Sequence, residues 1–413
     1  MIKLDKKAID IVNKAEEKCK PLFAEIERIE FENQLKVLNA FSENNVQAYH
    51  FAGSNGYGHN DLGRQKLCQV FASCFHTEDA LVSPLVTCGT EALSKCLFGL
   101  LRPGQNMLCL SGTPYDTLHD VIWGVEGQNV GSLKDYNIAY HQVELVDNDF
   151  DLPAIAEAIK KYNPNLIYIQ RSRGYALRNA LTIAQIERAI KEVKKHTNAT
   201  IMVDNCYGEF TETLEPTDIG ADVVAGSLIK NLGAGIAPCG GYVAGKKDLL
   251  ELISYQMTSP AVGFDAGGYE LGYKAFFQGI FSAPHVVAQS VKLVRLASMA
   301  ISDLGLTTIP TLEQPISDIV CCIKFNEPNK LINFVKAIQQ GSAVDSNSVP
   351  EPCEMEGYAD KIIMASGSFN QGSTIEFSCD GPIRPPFAGY LQGCINYTQG
   401  KIGLINAVQT LLQ

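Results

Sequence analysis

Two residues of this 413-residue chain stand where chemistry is easiest to build: Asp204, near the end of the apolar run TIMVDN (200–205), and Lys230, just beyond the run DVVAGS (222–227). Both runs read as buried strands, and the 26 residues of separation (230 − 204) hold one loop and one crossover. In an open α/β sheet, ligands bind beyond the carboxyl ends of the strands, where both side chains fall. An ammonium at the end of a buried strand loses hydration. Desolvation is expected to lower the pKa of Lys230 and leave an amine able to attack a carbonyl. Alone, the pair fits a salt bridge or two solvated rim residues equally well.

Two further segments narrow the chemistry. The run VTCGTEAL (86–93) passes from a strand through Gly89 and Thr90 into a helix, and a helix start offers free N–H groups and a positive dipole end to a phosphate. Ser227, three residues before Lys230, adds a hydroxyl. By itself the run also fits an ordinary helix cap by Thr87 or Thr90 with support from Glu91. In LSGTPYDTLHD (110–120), Tyr115 follows another strand end, placed to stack on a planar ring. A phosphate cradle, a ring stacker, a carboxylate for a pyridine nitrogen and a lysine for a Schiff base together point to pyridoxal 5′-phosphate (PLP) as cofactor.

The elements that must position these groups follow from periodicity. Residues 1–48 carry mixed charge with apolar residues at helical spacing and read as an amphipathic segment that packs on the body or on a partner subunit. Residues 49–284 read as a large PLP-binding domain, with strands at 80–86, 106–110, 166–170, 200–205, 222–227 and 241–245 and helices at 90–101, 152–161 and 182–196. Strands alternating with helices imply an α/β unit with a mainly parallel sheet covered on both faces. Residues 285–413 read as a smaller α+β C-terminal domain opened by a long helix at 285–305, with strands at 318–325, 361–366 and 374–379 and helices near 328–340 and 388–411.

The motifs VDNCYGEF (203–210), GSLIKNLGAGIAPCGGYVAG (226–245), GYGHNDLGR (56–64) and SGTPYDT (111–117) resemble the aluminium-resistance, methionine gamma-lyase-like family, related to the cystathionine enzymes. The resemblance spans nearly the whole chain and implies fold type I, a PLP-dependent transferase-like fold with a mainly parallel sheet of the seven-stranded type. It also implies a homodimer or homotetramer with active sites at subunit interfaces. Carried over residue by residue, it makes Lys230 the Schiff-base lysine and Asp204 the partner of the pyridine nitrogen. Tyr115 then stacks on the ring, Gly89, Thr90 and Ser227 hold the phosphate, and Tyr57 reaches in from the neighbouring subunit. Where the cystathionine enzymes carry Tyr-x-Arg, Tyr57 is followed here by Gly58 and His59, with Arg64 the candidate replacement. In QRSRGYALR (170–178), Ser172 or Arg173 faces the ring oxygen, and Arg384 in CDGPIRPPF (379–387) is the candidate for a substrate carboxylate, arginine being suited to bidentate binding.

The activity the resemblance implies is elimination at carbon–sulfur bonds of methionine, cystathionine or cysteine by β- or γ-cleavage, whereas the residues themselves point to PLP and Cα deprotonation, with Lys230 taking the Cα proton and Tyr115 or Tyr57 protonating the departing sulfur. Transamination, racemisation or retro-aldol cleavage on the same scaffold stays open, as does a non-enzymatic role in metal stress. The partner is a small amino-acid substrate. The net charge of −11 argues against nucleic-acid backbone binding, and no apolar run reaches the length of a membrane span. The charged N-terminus lacks a secretory core, so the expected place is the cytoplasm. Thirteen cysteines without a CxxC read as reduced thiols. Other candidates carry less. GGYVAGKK (240–247) mimics a phosphate loop but reads as a strand, Gly53, Gly56 and Gly58 reverse the dinucleotide spacing, and no histidine pair has the HExxH spacing of a metal site. Cys74 and His76 read as a core thiol and a helix end, and Asp61 as a cap or dimer contact.

Overall fold

A computed structural model describes residues 2–412. The chain begins with one 38-residue helix, α1 (Lys6–Glu43), capped by Asp5, whose side chain accepts from Lys7 N at 2.7 Å. Then come α2 (Leu62–Cys74), β1 (Asp79–Ser83), α3 (Gly89–Leu100), β2 (Asn106–Cys109), α4 (His119–Trp123), β3 (Ala139–Gln142) and a small hairpin of β4 (Leu145–Val146) and β5 (Asp149–Phe150). They are followed by α5 (Leu152–Tyr162), β6 (Leu166–Gln170), α6 (Ile183–Val193), β7 (Thr200–Asp204), β8 (Val223–Ser227), β9 (Gly241–Gly245) and α7 (Lys247–Ser254). The C-terminal part holds α8 (Lys274–Ser302), β10 (Thr307–Ile309), β11 (Val320–Lys324), α9 (Pro328–Gln340), β12 (Ile362–Ala365), β13 (Ser378–Pro382), β14 (Ala388–Gln392) and α10 (Tyr397–Gln409).

Seven strands form the large sheet in the order β1-β9-β8-β7-β6-β2-β3. β3, β2, β6, β7 and β8 run parallel, while β9 is antiparallel to both β8 and β1. Strands β6, β8 and β9 are buried along their whole length, as a sheet covered on both faces requires. The second sheet is antiparallel, five strands in the order β10-β11-β14-β13-β12. This is the fold type I architecture that the motifs imply, a mixed α/β body with a large, mainly parallel sheet and an antiparallel C-terminal sheet.

The two sheets do not have separate helical supports. Ala8, Val12, Ala15 and Cys19, spaced four, three and four apart, turn one stripe of α1 into the C-terminal core, while Ile26, Val37 and Ala40 of the same helix enter the large core. α8 repeats the arrangement in reverse, with Phe276–Val291 contributing to the large core and Leu293–Ile301 to the smaller one. The helix expected from residue 285 therefore starts at Lys274 and runs through Pro284. Proline blocks one helical donor, and Gln34 of α1 donates to the nearby Phe281 carbonyl at 3.2 Å. Two further boundaries differ from the expectation. Residues 374–376 are a 3-10 turn and the strand begins at Ser378, and the stretch taken as helix from 388 opens with β14 before α10 starts at Tyr397.

Candidate active site

β6, β7 and β8 deliver three consecutive strand ends to one place. In register, Gln170 pairs with Asp204 and Asp204 with Ala225, and β8 closes on Ser227. After β8 the backbone turns at Leu228, whose N–H donates to Gly240 O at 2.9 Å, and Lys230 follows at the head of the 3-10 turn Asn231–Gly233. Gly233 is required there, since a Cβ would lie 1.6 Å from the Leu228 carbonyl oxygen. Lys230 and Asp204 both line one cavity, with Tyr115, Gln170, Ser172 and Cys206 on the large-sheet side and Val320, Asp380, Tyr390 and Gln392 from the C-terminal sheet.

The local fields are specific. Asp204 Oδ1 accepts from the Cys206 amide at 3.1 Å and Oδ2 from the Tyr168 hydroxyl at 3.4 Å. Burial raises its pKa, against the opposing pull of Lys230 and these hydrogen bonds. The Lys230 ammonium sits 4.1 Å from the centre of the Tyr207 ring. Burial depresses its pKa, but Cys206, Tyr207, Asp204 and Glu209 around it prevail and hold it above the ordinary lysine value. Desolvation alone therefore misjudges this amine, whose neighbours push its pKa the other way.

Gly89 opens α3 beside the cavity, and no side chain caps this helix start. Glu91 instead accepts from the Thr87 amide at 2.6 Å and from its hydroxyl at 2.7 Å. A Cβ on Gly89 would meet Cys206 Sγ at 3.1 Å and Ser227 Cβ at 3.3 Å, so only glycine leaves a hollow between the helix start and Ser227. Thr90 Oγ1 is hydrogen bonded to Thr117 Oγ1 at 2.8 Å. Tyr115 is fixed by its amide, which donates to Gln170 Oε1 at 2.7 Å, and by a hydroxyl contact with Tyr358. An uncapped helix start, an aromatic ring, a buried carboxylate and an amine are the groups a PLP molecule needs, the amine giving up its proton to form the Schiff base.

Other sequence candidates fall elsewhere. Arg173 is buried but turned away from the cavity, with Nε 3.3 Å from Asp318 Oδ2 and Nη1 donating to Ile309 O at 2.6 Å; Ser172 is the one that lines the cavity, its hydroxyl donating to Asp318 at 2.9 Å. Arg384 is displaced too: it lies outside the cavity on the loop after β13 and pairs with Asp360 at 2.7 Å. Arg64 is committed to the carbonyls of Gly267 at 2.6 Å, Gly58 at 2.9 Å and Asp265 at 3.2 Å. Tyr57 is 75% exposed, stacked on His59 and outside this chain's cavity. Asp61 caps α2, accepting from the Arg64 amide at 2.9 Å. Gln170, Tyr175, Asp380, Tyr390 and Gln392 are cavity residues that the sequence did not disclose. Asp380 was within reach, four residues before Arg384 in a motif read for its arginine, and so were Gln170 and Tyr175, in the segment 170–178 read for Ser172 and Arg173.

Comparison with known proteins agrees with this fold. A crystal structure described as a carbon-sulfur lyase involved in aluminum resistance from Clostridium novyi NT superimposes with a TM-score of 0.94 at 44% identity, covering 98% of this chain and 96% of that one. YnbB of Bacillus subtilis, an uncharacterized protein, is 44% identical over 393 residues, 94% of this chain and 93% of its own length. The PLP-dependent protein YhfS from Escherichia coli shares the fold at 17% identity, with a TM-score of 0.64 over 94% of this chain and 96% of that one. The sequence pattern of the methionine gamma-lyase family matches residues 8–412. The chain belongs to the methionine gamma-lyase family.

Proposed function

We propose that the protein is a PLP-dependent carbon–sulfur lyase acting on a sulfur-containing amino acid. One observation carries the reading: Lys230 and Asp204 follow the carboxyl ends of adjacent parallel strands and share a single cavity beside an uncapped helix start. In overall balance an S-substituted cysteine and water give a thiol, ammonia and pyruvate, while methionine and water give methanethiol, ammonia and 2-oxobutyrate. Neither needs an oxidant.

PLP, when bound, supplies the electron sink for negative charge at Cα. The chain supplies the rest. Lys230 would hold the cofactor covalently and would take the substrate's Cα proton on Nζ. Asp204 would keep the pyridine nitrogen protonated, and Gly89, Thr90 and Ser227 would bind the phosphate. Burial, with Tyr358 and Asp380 beside it, pushes the Tyr115 pKa well above the ordinary tyrosine value, so its hydroxyl keeps a proton to give to a sulfur leaving group. The exposure of Tyr57, with Leu62 and Leu271 in the same region, suits a homodimer or homotetramer in which Tyr57 enters the neighbouring cavity.

The test is spectroscopic and chemical. The PLP-loaded protein is expected to show a visible absorption band that borohydride abolishes and that Lys230→Ala lacks. Thiol and keto acid should be released together from at least one of cystathionine, cysteine and methionine, with the rate falling about 10²- to 10⁴-fold in Lys230→Ala. Keto acid without thiol would mark an aminotransferase instead.

A further inference from the structure

Arg384, read in the sequence for a substrate carboxylate, holds a loop instead. Between α9 and β12 the chain turns back on itself, clasped where the amides of Cys353 and Ile362 each donate to the other's carbonyl, at 3.0 and 2.9 Å. Inside the clasp Asp360 pairs with Arg384 at 2.7 Å, and the Ile383 amide donates to Lys361 O at 2.8 Å. Gly357, with φ +82°, lies against Thr117, where a Cβ would sit 3.6 Å from Thr117 Cγ2. The loop thus crosses from the C-terminal sheet to the segment after β2 that carries Tyr115.

Tyr358 is the residue this loop delivers. It does not line the cavity but stands behind Tyr115, with ring centres 6.0 Å apart at 73°. The two hydroxyls are hydrogen bonded, and among the described residues Tyr358 is the one partner of the Tyr115 hydroxyl. The Tyr175 ring lies 5.7 Å from each of them, which limits how either can turn.

A hydroxyl that protonates a departing sulfur is left as a phenolate, and a buried charge is costly. Burial, with Tyr358 and Asp380 beside it, holds the Tyr115 pKa well above the ordinary tyrosine value, whereas the less deeply buried Tyr358 is pushed up to about 12. A donor on the Tyr115 oxygen removes the difficulty. As the carbon–sulfur bond breaks and its electron pair leaves on sulfur, Tyr115 gives its proton to the sulfur and takes one from Tyr358. The charge then rests on the outer oxygen, stabilised by a charge-assisted hydrogen bond from Tyr115 until water returns the proton.

We infer that Tyr358 is a positioning residue for the elimination step: it holds the Tyr115 hydroxyl and supplies, through it, the proton that the departing sulfur takes up. This rests on the lyase reading of the same site.

Tyr358→Phe tests it, since the ring stays and only the hydroxyl goes. Two substrates are compared: the fastest cleaved of cystathionine, cysteine and methionine, whose sulfur needs a proton, and β-chloro-L-alanine, whose chloride leaves without one. With the PLP-loaded protein, kcat for keto acid release from the sulfur substrate is expected to fall about 10- to 100-fold, as for one lost hydrogen bond to a charged oxygen, and that from β-chloro-L-alanine less than about threefold. Arg384→Gln loosens the same loop from outside the cavity and is expected to repeat the selective loss in weaker form. An equal loss for the two substrates in both variants, or no loss in Tyr358→Phe, overturns the inference and leaves the lyase reading standing. If the wild type does not turn over β-chloro-L-alanine, exchange of the sulfur substrate's Cα proton in heavy water takes its place. Exchange retained in Tyr358→Phe while thiol release falls supports the role, and loss of both overturns it. A wild type that releases thiol from none of the three amino acids overturns the lyase reading, and the inference with it.

Discussion

Close to Lys230 lies a second buried carboxyl that the proposed chemistry does not use. Glu209 Oε1 accepts from the Tyr242 hydroxyl at 2.8 Å, while Oε2 is buried without a partner. Burial pushes its pKa from 4.5 up to about 8. The folded chain thus keeps a proton that the unfolded chain releases between those values. The stabilising contribution of this group is complete below pH 4.5 and is lost as pH rises through about 8. Glu209→Gln removes the titration at nearly constant shape. The cofactor-free variant is expected to gain stability over the wild type as pH rises from 5 to 8, by up to about 1.4 kcal/mol per pH unit. Denaturant melts across that range check it, and a difference that does not change with pH would show an ionised Glu209 throughout. At this scale the sequence disclosed the residues that end strands. Asp204 and Lys230 follow apolar runs whose direction in an α/β sheet is known, so their meeting point could be placed. Asp380 and Gln392 lie inside antiparallel strands, where nothing local says which face turns to a cavity, and Arg384 drew attention because arginine suits carboxylates.

At the scale of elements, the start of α3 is the proposed anion site, and its form depends on a missing side chain. Gly89→Ala puts a methyl 3.1 Å from Cys206 Sγ and 3.3 Å from Ser227 Cβ, tight enough to narrow the hollow without breaking the helix. The expected outcome is a PLP dissociation constant raised about 10-fold, the loss of one charge-assisted hydrogen bond, with the melting temperature of the cofactor-free protein nearly unchanged. Fluorescence titration with PLP reads the first and a thermal melt the second; unaltered affinity would move the phosphate away from Gly89. Six strands of the large sheet were legible because each is a short continuous apolar run between helical patterns; β3, AYHQ at the sheet edge, is not such a run and was missed. β14 was missed too. AGYLQ is short, ends five positions before a helix of good periodicity (397 − 392) and merges with it when only spacing is read. The start of α8 was hidden for another reason: Pro284 marks a boundary in sequence, whereas in the fold the helix continues through it, buried between α1 and the large core.

Across the whole molecule, α1 and α8 are shared beams. Each runs from one hydrophobic core to the other, so neither core closes when either helix is displaced. The expected consequence is one cooperative unfolding transition despite two sheets, with matching calorimetric and van't Hoff enthalpies for the loaded protein. Two resolved calorimetric peaks would contradict it. The same architecture explains how residues 200 positions apart serve one cavity: α8 fixes the C-terminal sheet against the large one, and the space between β7–β8 and β13–β14 becomes the site. Within that space everything proposed for the chemistry depends on a covalent bond at one amine. The most direct measurement is to load the protein with PLP, reduce it with borohydride, digest it and locate the pyridoxyl group by mass spectrometry. The account predicts a single modified lysine, Lys230, in the peptide that follows β8. A pyridoxyl group on any other lysine, or none on a protein that has taken up PLP, would contradict it.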